Sequence, residues 1–134
     1  MRLTKKINGL RGDQTMSGKF LVNCPHGSDD LEKATVAMIV AGAAAAMDGE
    51  TAMFLTCESV RLATKGGMDG LQLEGYPALA DLQQAYHENG GQLWVCPVCA
   101  KARGITADDL VAGAEIAGAA RTIGFVGDGA KLLM

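Results

Sequence analysis

The chain has 134 residues, of which 49% are hydrophobic and 20% charged, with 18 glycines and a formal charge of −3. That is the size of one domain with room for a core, and the composition fits a globular protein rich in small side chains and close packing between elements. An acidic balance leaves a nucleic-acid partner dependent on a local basic patch, which only Lys5, Lys6 and Arg11 approach, so none is expected. The longest apolar run, Ala34 to Met47, falls short of the roughly 20 residues a bilayer span requires, so no membrane partner is expected either.

Residues 1–17 are polar, show no clear period and read as an N-terminal arm or extension, leaving 18–134 as a single α/β domain. Lys19 to Cys24 reads as the first strand and Pro25-His26-Gly27 as the turn after it. Ser28 is the expected cap of a helix running to about Asp48, with Asp29 and Asp30 in its first turn. That helix is apolar nearly all round from Val36 to Met47, which suits burial on more than one side, by the sheet and by a second layer or another subunit. Thr51 to Cys57 is the second strand, parallel to the first through a right-handed crossover. A short helix at Glu58–Thr64 leads into a glycine-rich section, Gly66 to Gly70, that reads as a loop and a candidate lid.

Pro77 to Asn89 is an amphipathic helix with Leu79, Leu82 and Tyr86 on one face, closed by Gly90-Gly91. The third strand, Gln92 to Val95, runs into Cys96-Pro97-Val98-Cys99. Pro97 suits the first helical position, which puts Cys96 at the N-cap beside unpaired N–H groups, and Gly104 supplies the left-handed residue that ends the segment. Thr106 caps a short helix through Leu110, Glu115–Ala117 is a short fourth strand, Ala119–Val126 a helix, and Ala130–Met134 a closing strand. Such alternation predicts a three-layer α/β/α sandwich on a mostly parallel sheet of about five strands.

Parallel strands bring their carboxyl ends to one side, where open α/β folds bind ligands. Cys24, Cys57 and Cys96 each close a strand, so all four thiols and His26 are expected at one edge. Cys96 and Cys99 are the candidates for chemistry, because the thiolate is the reactive form and an N-cap stabilises it. Cys24 and Cys57 are weaker candidates that core filling explains better, His26 fits a surface turn, His87 faces solvent, and Glu58 fits a helix-start carboxylate.

Four cysteines with one C-x-x-C and no signal-peptide pattern point to a reducing cytoplasm and to redox or metal chemistry, not a disulfide scaffold. Three chemistries use such a cluster. Structural zinc prefers two close pairs and here there is one, so no metal or other cofactor is assigned. A dithiol oxidoreductase needs a C-x-x-C after a strand, as here, although the motif comes late in the chain. Carriage of sulfane sulfur as a persulfide needs one exposed, low-pKa cysteine and little else.

The stretch Gly90-Gly91-Gln92-Leu93-Trp94-Val95-Cys96-Pro97-Val98-Cys99-Ala100-Lys101-Ala102-Arg103-Gly104 resembles the DsrE/DsrF-like sulfur-relay family: a helix ending in glycine, a short apolar strand, one cysteine, a small-residue helix and an Arg-Gly. The order of the chain from Lys19 to Met134 is similar as well. The resemblance implies a compact α/β domain, assembly as a trimer or hexamer, and partners that are sulfur donor and acceptor proteins with a reactive cysteine. It places the sulfur-carrying cysteine on Cys96 and the Arg-Gly on Arg103-Gly104. Cys99 stands where the sulfur-relay subunits have a small residue, which leaves open a disulfide with Cys96 or a metal site. The expected function is therefore a cytoplasmic, sulfurtransferase-like carrier that holds sulfur on Cys96. The alternatives are a metal- or partner-binding subunit of such an oligomer and a small dithiol oxidoreductase using Cys96 and Cys99.

Overall fold

The computed structural model of the protein describes residues 18–134; the arm over 1–17 and its basic cluster Lys5, Lys6 and Arg11 lie outside the described residues. Strand β1 (Lys19–Cys24) leads to helix α1 (Leu31–Ala46), strand β2 (Glu50–Leu55), a 3-10 helix over Cys57–Ala63, helix α2 (Leu79–Glu88) and strand β3 (Gln92–Val95). Helix α3 (Pro97–Ala102), strand β4 (Ala114–Ile116), helix α4 (Ala119–Gly127) and strand β5 (Lys131–Leu132) follow. The sheet has the order β4-β3-β2-β1-β5 and every pair is parallel.

That order explains the layers. From β1 to β4 the strands advance in one direction, so right-handed crossovers put α1, α2 and α3 on one face. The step from β4 back past β1 to β5 reverses direction and lays α4 on the other. Two apolar clusters follow this division. Val22, Cys24, Met53, Leu55, Leu93 and Val95 point toward α1 and α2, while Leu21, Ala52 and Trp94 point toward Phe125 of α4.

Small side chains let α1 lie close: Ala34, Ala37, Ala41 and Ala45 are buried with Met38, whereas Val36 and Ile39 stay exposed. Helix α2 is tied down by Tyr86, fully buried, whose hydroxyl reaches the carbonyls of Gln92 at 2.7 Å and Thr51 at 3.2 Å. A β-carbon at Gly91 would sit 2.3 Å from the Tyr86 ring, so only glycine fits between α2 and β3. On the opposite face Trp94 meets Phe125 edge-on at 5.1 Å and carries the Arg121 guanidinium 4.8 Å from its ring.

Several boundaries differ from the sequence reading. The cap of α1 is Asp30, whose carboxylate accepts the Lys33 N–H; Ser28 instead opens a 3-10 turn over Ser28–Asp30. The second strand ends at Leu55, and Cys57 begins the 3-10 helix with a left-handed φ of 54°. The fourth strand sits one residue earlier than expected, at Ala114–Ile116, and the closing strand is confined to Lys131–Leu132. Beyond it, Leu133 and Met134 still exchange backbone hydrogen bonds with Leu21 and Asn23. No helix among the described residues is long and apolar enough to cross a membrane.

Candidate functional site

Strands β2 and β3 end side by side, with Leu55 opposite Val95. The Cys96 N–H donates to the Leu55 carbonyl at 3.0 Å, so the ladder continues one residue past the strand before Pro97 opens α3. Cys96 is the N-cap residue, with its carbonyl accepting the Ala100 N–H at 2.9 Å. Gly104, at a φ of 70°, ends the turn while the Ile105 N–H returns to the Ala100 carbonyl at 2.9 Å.

Cys96 is half-buried and free of any disulfide. Partial burial works to raise its pKa, and the N–H groups of Cys99 and Val98, together with the Cys99 thiol, outweigh it and hold Cys96 below the ordinary thiol value. These contacts fall short of a strictly aligned capping hydrogen bond; the favourable field comes from several donors near the sulfur. With only six residues, α3 acts through these free N–H groups more than through a macrodipole.

Cys99 responds in the opposite sense. The Cys57 N–H, donating to its sulfur, lowers its pKa; burial and the negative charge favoured on Cys96 raise it, and the net shift is upward. Cys57 is exposed, two residues past the end of β2, and its N–H lies beside the Cys99 sulfur, so three thiols form one group. Arg103 closes the group from behind: its Nε donates to Glu58 Oε2 at 3.0 Å and its Nη1 to the Cys99 carbonyl at 3.3 Å. Arg61 takes the other Glu58 oxygen at 2.6 Å, and the two guanidiniums, Arg103 foremost, hold the Glu58 carboxyl below the usual carboxylate range. Glu58 is thus the residue that binds the Cys57 turn to α3, a pairing 45 positions apart.

Cys24 and His26 lie at the same sheet edge, the Cys24 carbonyl accepting the Thr56 N–H at 3.2 Å, but the Cys24 thiol turns into the core. The Cys24 thiol is 2% exposed and donates to the His26 carbonyl at 3.2 Å, and burial pushes its pKa up to about 11. His26 points Nδ1 at Asp29 Oδ2, 3.0 Å away. Both line a cavity of about 430 Å³ at the carboxyl end of β1, bounded by Val36, Ala37 and Met134. The structure therefore groups Cys57, Cys96, Cys99 and Arg103 around α3, with Cys24 and His26 on the neighbouring strand end and the Cys24 sulfur buried. Among the described residues no three His, Cys, Asp or Glu side chains are arranged to hold a metal. His87 lies exposed on α2 and lines a separate cavity with Gln83, Gln84 and Met68.

The sequence profile of the DsrE/DsrF-like family matches residues 19–134. The chain belongs to the DsrE/DsrF-like family. This DsrE-like chain is 34% identical over 100 residues to the uncharacterized protein MJ0760 of Methanocaldococcus jannaschii; the match takes in 75% of this chain and 36% of that relative, so the chain spans about a third of its length. Its fold is similar to the crystal structure of the ychN protein from E. coli, with a TM-score of 0.61 at 15% identity, over 87% of this chain and 97% of that one. That likeness supports the three-layer DsrE-like architecture. The family as a whole is associated with sulfur relay.

Proposed function

We propose that the protein is a sulfur carrier that holds one sulfane sulfur as a persulfide on Cys96 and yields it to a partner thiol. The observation that carries this reading is a half-buried cysteine whose sulfur faces the N–H groups of Val98 and Cys99 and whose pKa is lowered. The Cys96 thiolate attacks the terminal sulfur of a donor persulfide, forming the new S–S bond and releasing the donor as a thiolate. An acceptor thiolate then attacks that terminal sulfur, and Cys96 departs as a thiolate. A sulfur with a stabilised anion is a competent leaving group in this second step. Arg103 positions α3 through Glu58 and the Cys99 carbonyl.

Donor and acceptor are proteins with a reactive cysteine, and the setting is the reducing cytoplasm. A homo-oligomer, trimer or hexamer, is supported by the exposed apolar side chains Val36 and Ile39 on α1 and Leu132, Leu133 and Met134 beside them at the sheet edge. A second reading, a dithiol oxidoreductase, draws on the Cys99 thiol that donates to the Cys96 sulfur. Treating the protein with a persulfide donor and weighing it intact is the test of the carrier. Wild type should gain one sulfur and Cys96→Ser none; equal gain in both would overturn the assignment. Turnover of a protein disulfide without any gain of sulfur would favour the second reading.

A further inference from the structure

We propose that Cys57 is the resolving thiol of this site: it takes the Cys99 sulfur away from Cys96, so that the oxidised site is a Cys57–Cys99 disulfide with Cys96 left free. This rests on the carrier reading and adds a route by which stored sulfur leaves as sulfide when no acceptor protein is docked.

The placement follows from the sheet and from what packs on its end. Leu55 and Val95 are the last paired residues of adjacent parallel strands, the Cys96 N–H extends the ladder to the Leu55 carbonyl, and Cys57 opens the 3-10 turn two residues past Leu55, against which α3 packs. Cys99, in the first turn of α3, neighbours both: its thiol donates to the Cys96 sulfur, and its own sulfur accepts the Cys57 N–H. The Arg103–Glu58 pair fixes α3 against the turn that carries Cys57. Cys57 itself is exposed, so core filling does not account for a cysteine there. It also holds a left-handed backbone that side chains other than glycine, asparagine and aspartate adopt uncommonly.

The chemistry balances without a metal. In the persulfide form, Cys99 loses its proton to solvent and attacks the Cys96 Sγ, forming a Cys96–Cys99 disulfide and expelling hydrosulfide. The terminal sulfur is reduced and the two cysteines are oxidised. The Cys57 thiolate then attacks the Cys99 Sγ, the Cys96–Cys99 bond breaks, and Cys96 leaves as a thiolate. Exchange proceeds faster toward the sulfur whose anion is more stable, which sets the direction. An external dithiol reduces the Cys57–Cys99 bond and restores the site.

The experiment uses the full chain and needs no persulfide. The protein is oxidised with one equivalent of diamide, free thiols are trapped with N-ethylmaleimide under acid quench, and the peptides are mapped by mass spectrometry. Wild type should show a Cys57–Cys99 crosslink with Cys96 alkylated. Cys57→Ser should instead keep Cys96 locked to Cys99, lowering alkylation of Cys96 by roughly tenfold. A Cys96–Cys99 disulfide that persists in wild type, or no internal disulfide at all, overturns the proposal. A parallel arm with a persulfide donor separates the two readings. Sulfur that wild type gains at early times and then releases as sulfide, but that Cys99→Ser retains, supports both. Failure of Cys99→Ser to gain sulfur strikes the carrier reading, while the crosslink map still judges Cys57 by itself.

Discussion

Two strands of this molecule end in the same dipeptide, Cys24-Pro25 after β1 and Cys96-Pro97 after β3, and the two thiols are driven in opposite directions. At β3 the proline is the first residue of a helix, so the cysteine becomes a cap and meets free N–H groups. At β1 the chain first makes the Pro25-His26-Gly27 turn, and the helix starts only at Leu31 with Asp30 as its cap. Cys24 is left inside the core with one carbonyl to donate to, and burial dominates its titration. A cysteine-proline pair does not by itself make a reactive thiol. What decides is whether the next residues turn their N–H groups back onto the sulfur.

The sharpest way to press this contrast is to place a permanent anion at each position. Cys96→Asp puts a good capping residue at a half-buried helix start that offers free N–H groups, and its thermal stability should match wild type or rise by about 0.5–1 kcal/mol. Cys24→Asp buries a carboxylate at a position where the thiol is 2% exposed and should cost about 3 kcal/mol or more, read from urea unfolding. Equal stabilities for the two variants would break the comparison.

A smaller effect comes from pH. The folded Cys24 thiol titrates at about 11, against 9.0 for the unperturbed group. Below pH 9 both folded and unfolded chains hold the proton, and the buried thiol carries no penalty. Between pH 9 and 11 only the unfolded chain releases it, so stability falls as pH rises, by about 2–3 kcal/mol over that window. Cys24→Ala removes this slope and Cys96→Ala leaves it in place, as unfolding midpoints measured across that range should show.

The least expected effect is at Arg103. Its bonds to Glu58 and to the Cys99 carbonyl orient α3 without touching the Cys96 sulfur. Arg103→Ala should slow alkylation of Cys96 by a few-fold, roughly 2–5, and leave Cys24 unchanged. An unaltered rate at Cys96 would show that α3 is held by packing alone.

Much of this arrangement was legible before any coordinates. Strand β3 lies where its apolar run and flanking glycines put it, and Pro97 and Gly104 bracket α3 because their backbone restrictions are local. The boundary at Cys57 was not legible, because Thr51 to Cys57 reads as one continuous strand and the turn after Leu55 is imposed by where its partner Val95 stops. The cap of α1 was ambiguous for a similar reason. Ser28, Asp29 and Asp30 all have capping side chains, and Asp29 is engaged by the Gly27 N–H and His26. The Glu58–Arg103 pair joins residues far apart in the chain, and no local period marks it. The separation of Cys24 from the other thiols likewise depends on side-chain direction inside the core, which strand order alone does not specify.

The account stands on Cys96 being the thiol that ionises most easily while remaining reachable. Alkylation of all four cysteines with limiting iodoacetamide, followed peptide by peptide from pH 5 to 10, measures that directly. The predicted result is a Cys96 profile displaced to lower pH than the other three, with Cys24 the slowest at every pH. A Cys96 midpoint at or above that of an ordinary thiol, or faster labelling of Cys24 at neutral pH, would contradict it.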